Sequence, residues 1–115
     1  MPKPSHKDFN YILNMLESIQ KILDYSGQFE NADDFHSDTK SFDATMMNFV
    51  VIGEMVEKLS TEFLTETENI IDWFKIKSFR NIVAHNYFGI DAEEVWQIIK
   101  NHLSALKDNL EKIIE

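Results

Sequence analysis

No cysteine occurs among the 115 residues, which excludes a disulfide framework and a thiolate metal site alike. Proline is nearly missing too: Pro2 and Pro4 stand at the N-terminal edge, and the rest of the chain holds three glycines. With so little to interrupt them, helices can run on after residue 5, and the chain reads as all-α. No apolar run is long enough to span a membrane, and the N-terminus lacks the apolar stretch of a signal peptide. A cytoplasmic protein without membrane contact is therefore expected. Arginine is the scarcest charged residue, present once, at Arg80. Three of the four histidines, His6, His36 and His102, show no ligand spacing, so neither a metal nor another cofactor is expected.

Positive charge is also in short supply, with a net charge of −9. Such a balance repels nucleic acid in general, but its distribution is uneven. From Trp73 to Ile90 there is no Asp or Glu, and Lys75, Lys77 and Arg80 give the stretch +3, leaving −12 elsewhere to reach −9. An acid-free window is either a helix turned to the core or a basic surface on an acidic protein. Two lysines and an arginine sit badly in a core unless they snorkel or pair.

What is abundant is apolar residue, 43% with nine Phe and five Met, enough for one core and hence one domain over residues 1–115. Periodicity and caps mark four main helices. The first starts at Ser5, with Asp8 at capping-box spacing, carries Ile12, Leu13, Leu16, Ile19, Ile22 and Leu23 on one side, and ends near Ser26–Gly27. The link "QFENADDFHSD" has room for one helical turn. The second helix runs from Thr39 to Leu59 and contains Gly53, which costs about 1 kcal/mol in a helix interior and so signals a close helix–helix approach. "STEFLTETENI" leads to a third helix from Asp72, with Trp73 as a core anchor, that should stop around "NYFGID" through Gly89. Asp91 caps the last helix, in which Glu93 and Glu94 suit the N-terminal end and Trp96 is the second anchor. Short links imply antiparallel neighbours and a four- to five-helix up-and-down bundle. The apolar stretch "MMNFVVI" leaves surface beyond what one small bundle buries, which suggests a homodimer.

The stretch "RNIVAHNY" carries the chemistry. On an ideal helix Arg80 and Tyr87 share a face, whereas His85 lies about 140° from Arg80. The two can serve one site if the helix ends around Ala84–His85, or if a second copy completes the site across a two-fold axis; both together are favoured. Arginine presents a planar, permanently charged fork to a phosphate and to the charge that builds up in phosphoryl transfer. Histidine titrates near neutrality and can take the proton of a ribose 2′-hydroxyl, while a second His85 protonates the leaving 5′-oxygen. That is sufficient for metal-independent RNA cleavage that spares DNA. Asn81 can bind phosphate or orient His85, and Tyr87 can stack on a base or donate to phosphate. Lys75 and Lys77 are the candidate contacts to the RNA backbone. The competing structural reading pairs Arg80 with a helix carboxylate, makes His85 a cap and packs Tyr87 inside. Glu54 is the carboxylate placed to face the cleft as a partner of Arg80 or His85, although a solvated glutamate is the commoner outcome.

These residues resemble a known family. "FRNIVAHNYFGIDAEEVWQII" is similar to the signature of the HepT-like branch of HEPN-domain proteins, whose motif is R-x4-H-x-Y. "FVVIGEMVEKLS" resembles that branch's second helix, and "DWFKIKSFRN" resembles the lead-in to the motif. The resemblance runs from about residue 7 to 113. It implies a dimeric α-helical bundle acting as a ribonuclease toxin, with Arg80 and His85 catalytic and Asn81 supporting them. It also implies a cognate nucleotidyltransferase-fold antitoxin that transfers AMP from ATP to Tyr87. Related bundles serve instead as substrate-binding partners of nucleotidyltransferases. In one respect the chain departs from the pattern: the basic residue usual ahead of "IGE" is replaced within "DATMMN".

Overall fold

Ser5 halts the extended N-terminal segment by accepting a hydrogen bond from the Asp8 amide (3.1 Å), and α1 (His6–Ser26) runs on from it. The computed structural model describes residues 3–115, and among these no strand occurs and no helix is long and apolar enough to cross a membrane. The capping-box role expected of the Asp8 carboxylate is not what it does. That side chain is buried and accepts from the Ser60 amide (2.9 Å) and hydroxyl (2.6 Å), fastening the start of α1 to the start of α4 (Thr61–Thr67). Ser60 in turn caps α4 by accepting from the Phe63 amide (3.2 Å). A buried carboxylate is tolerable only with such donors, since an unpaired buried charge is expensive.

α1 turns Ile12, Met15, Ile19 and Ile22 fully inward, each fully buried aliphatic being worth roughly 1.5–3 kcal/mol over exposure. Leu13, placed on the stripe by the sequence reading, is instead 41% exposed; Met15 takes the core position. The polar link does hold a helix, α2 (Ala32–Ser37), capped by Asn31, whose side chain accepts from the Asp34 amide. Its purpose is Phe35, fully buried between Phe42 and Trp96 with ring centroids 5.3 and 5.6 Å away.

α3 (Thr39–Lys58) lies along α1 on one side and α5 (Trp73–His85) on the other. Trp73 is a core anchor as expected: its indole N–H donates to the Thr67 hydroxyl (3.0 Å), and that hydroxyl donates to the Phe63 carbonyl (2.7 Å). After a 3-10 turn (Tyr87–Gly89) the chain enters α6 (Ala92–Ile98), passes without a break through a π-helical stretch (Ile99–Leu103) and continues as α7 (Ser104–Ile113). Val95, Ile99 and Leu103 are spaced four apart and all buried. A stripe at that spacing drifts around a 3.6-residue helix, and the wider π turn brings it back onto the core. Four long rods, with α2 and α4 as short inserts, make the expected all-α bundle. Of "MMNFVVI", Met46, Phe49 and Ile52 are buried and only Met47 is well exposed. The apolar side chains left in solvent lie mainly at Phe74, Ile82 and Phe88 instead.

Candidate active site

α3 and α5 pack antiparallel, and three pairs record their register: Glu57 with Lys77, Glu54 with Arg80, and Asp43 with Tyr87. The acid-free window is therefore not an unopposed basic surface. Its acids come from the neighbouring helix. Lys77 Nζ is 3.6 Å from Glu57, both side chains about half exposed, a pair worth at most about 1 kcal/mol. Lys75 is exposed, and its amide donates to the Asp72 carboxylate that caps α5 (3.0 Å).

Arg80 is placed by Gly53. A Cβ on Gly53 would collide with Cβ and Cγ of Arg80, so the glycine is the floor on which the arginine stem lies. The close approach expected at Gly53 is thus real, and it is a side chain that makes it. The guanidinium donates through Nη2 to the Glu54 carboxylate and through Nη1 to Asn81 Oδ1 (2.9 Å). Its buried Nε–H meets no acceptor among the described residues. Glu54 thus takes the partner role that the sequence left open.

His85 is the last residue of α5, and Asn86, with φ −144° and ψ 44°, ends the helix. The stop is where the motif required it, but its agent is not Gly89. That glycine lies in the following 3-10 turn, where a Cβ would come within 2.7 Å of the Asn86 side chain. Because His85 still has helical phase, its Cβ points away from α3, on the side of α5 shared by Phe74, Asn81 and Ile82. All four are exposed. Arg80 faces α3 and His85 faces solvent.

Tyr87 is partly buried, its ring 6.3 Å from that of Phe42, and its hydroxyl donates to Asp43. Burial, the hydrogen bond to Asp43 and the charge of Asp43 push its phenol up to about 12. A raised pKa means that the fold favours the neutral phenol. This contribution to stability is fully present below the ordinary value of 10 and is lost as pH rises through about 12. Asp43→Ala removes the second and third causes, so the titration of Tyr87 is expected to move down toward 10. Carbon-13 NMR of the tyrosine ring, assigned with Tyr87→Phe, measures it; an unmoved titration would show that Asp43 has no hold on the hydroxyl. Asp43 was not foreseen. The available signal was the departure in "DATMMN", which Asp43 opens. Among the described residues no three His, Asp or Glu side chains converge as metal ligands.

Residues 15–113 match the HepT-like family, described as ribonuclease HepT-like. A Methanocaldococcus jannaschii protein named "Gamma-glutamylcyclotransferase and putative RNase" is 33% identical over 105 residues, 91% of this chain. The match takes in 46% of that relative, so the chain spans about half its length. A "Putative RNase" of the same organism is 30% identical over 115 residues, covering 100% of this chain and 92% of that protein. A "Probable ribonuclease HepT" of Thermococcus cleftensis is 30% identical over 113 residues, 96% of this chain and 97% of its own. No solved structure matches the chain.

Proposed function

This chain belongs to the HepT-like ribonuclease family, and we propose that it is a dimeric, metal-independent endoribonuclease, the toxin of a toxin–antitoxin pair, switched off by adenylylation of Tyr87. His85 accepts the proton of a ribose 2′-hydroxyl as the 2′-oxygen attacks the adjacent phosphorus. The bond to the 5′-oxygen breaks, and that oxygen takes a proton from the His85 of a second copy. The products are a 2′,3′-cyclic phosphate and a 5′-hydroxyl end. Arg80 neutralises the charge that accumulates on the non-bridging oxygens, with Asn81 holding the guanidinium and Glu54 yielding its place to the phosphate. Lys75 and Lys77 guide the flanking backbone. An adenylyl group on Tyr87 displaces the bond to Asp43 and puts an anionic, bulky group where RNA must lie.

The observation that carries this reading is the divergence of the motif: Arg80 turned to α3, His85 turned outward on the side that also exposes Phe74 and Ile82. A second copy packed against that side covers the apolar residues and brings a second imidazole. One observation favours a different reading, a helical substrate-binding partner of a nucleotidyltransferase: Arg80 and Lys77 are already paired with Glu54 and Glu57. End-group analysis of single-stranded RNA treated with the purified protein separates the two. Cyclic phosphate or 3′-phosphate ends formed in the presence of EDTA are expected. Intact RNA, together with stable binding of the nucleotidyltransferase, favours the second reading. Given ATP and that enzyme, the wild-type chain should gain AMP and Tyr87→Phe should not.

A further inference from the structure

The sequence left base stacking to Tyr87, but Tyr87 is engaged on both counts, its ring against Phe42 and its hydroxyl on Asp43. The next residue, Phe88, is 100% exposed. We propose that Phe88 is the base-stacking residue of the site, a platform on which a nucleotide next to the cleaved linkage lays its base. The assignment rests on the ribonuclease reading above.

Three features support it. The ring makes no contribution to the core: its aromatic neighbour is Tyr87, met edge-on at 5.4 Å and 83°, which leaves a π face open. A bare phenyl ring in water has no structural return, and a nucleobase is the flat partner that covers such a face without needing further apolar area. The ring is also braced. Gly89 N–H donates to the Asn86 carbonyl (3.0 Å), Ile90 N–H donates to the Tyr87 carbonyl (3.3 Å), and Ile90 packs on the core. Asp43 ties down Tyr87 on the other side. The turn is therefore ordered before any ligand arrives, so stacking incurs little further loss of backbone freedom. Finally, Phe88 follows His85 by three residues, which limits their separation to about 10 Å even if the chain were extended. No acid occurs within the window from Trp73 to Ile90 itself, and the next one along the chain, Asp91, is engaged in accepting from the Glu93 amide. Asp43, the acid facing this turn from α3, is bound to the Tyr87 hydroxyl.

Protein contact is the other use of an exposed aromatic. The apolar groove of about 610 Å³ between α5 and the last helix, lined by Phe74, Phe79, Ile82, Leu103 and Leu106, does not include Phe88. Flanked by the partly buried Tyr87 and by Gly89, a single ring provides far less than the roughly 800 Å² per partner of a stable protein interface. One base is the right size.

The test is fluorescence anisotropy with a labelled single-stranded 2′-O-methyl oligoribonucleotide, which binds without being cut. Phe88→Ala should weaken binding roughly 5- to 150-fold, the loss typical of removing one base-stacking aromatic. Phe88→Trp should restore it, with indole fluorescence quenched on binding, whereas Phe88→Leu should not. Since the ring is fully exposed, none of these variants is expected to lose its fold. Wild-type affinity in Phe88→Ala, alongside a wild-type protein that binds and cuts RNA, overturns the stacking role and leaves the ribonuclease reading intact. A Phe88→Ala protein that turns monomeric in light scattering while the wild type is dimeric overturns it as well, by making the ring a contact between copies. A wild type that neither binds nor cuts RNA overturns both.

Discussion

His85→Ala is expected to lower RNA cleavage by about 10²- to 10⁴-fold, the usual contribution of a positioned general acid or base. The fold should not change. His85 is exposed at the end of α5, lies outside the core, and has no hydrogen-bonded side-chain partner among the described residues. Its loss leaves no buried group unsatisfied and no cavity. Circular dichroism and thermal melting should therefore match the wild type, while the rate of cyclic-phosphate formation falls by that factor. In the proposed dimer the effect is doubled in kind, since one imidazole is lost as base and the other as acid. A variant that retains wild-type cleavage would remove His85 from the mechanism. A substrate with a single 2′-deoxyribose at the scissile position should resist the wild type to a similar degree, because the attacking oxygen is gone.

The second large effect is expected at Gly53. In an exposed helix Gly→Ala stabilises by up to about 1 kcal/mol. At Gly53 the added methyl would meet Cβ and Cγ of Arg80, and Cβ is fixed by the α5 backbone, so no change of rotamer relieves that contact. Either α3 and α5 part, or Arg80 leaves the Glu54 side. Overpacking of this kind costs about 1–3 kcal/mol and should outweigh the gain in propensity. Gly53→Ala should thus melt several degrees lower, in keeping with the usual size of such shifts, and should cut RNA poorly because the guanidinium is displaced. Retention of both stability and cleavage would mean that the contact between α3 and α5 is looser than the structure has it.

Much of the bundle was legible because helices are written locally. Ser5, Asn31, Asp38, Ser60, Asp72 and Asp91 each hold their helix start through a side chain only two or three residues from the amide it accepts. The stripe of α1 follows a 3.6-residue period that needs no knowledge of a partner, whereas that of the last helix reaches the core only through the π-helical stretch at Ile99–Leu103. Where local reading went astray, a long-range contact was responsible. Asp8 has capping-box spacing, but its carboxylate is drawn to Ser60, 52 residues on. Leu13 fits the stripe of α1, yet it is Met15 that the other helices bury, while Leu13 is exposed.

The same division runs through the site. The sequence by itself determined an all-α chain, a glycine in the second helix that had to serve close packing, and Arg80, His85 and Tyr87 at a spacing that cannot share one helix face. All of these follow from properties carried within a few residues. Only the tertiary structure decided what each of them meets: Arg80 seated on Gly53 and paired with Glu54, Tyr87 held by Asp43, Lys77 offset by Glu57, and Phe88 left in the open. The physical reason is register. Sliding α5 along α3 by one turn would keep every cap and every stripe, and would give each of those charges a different neighbour.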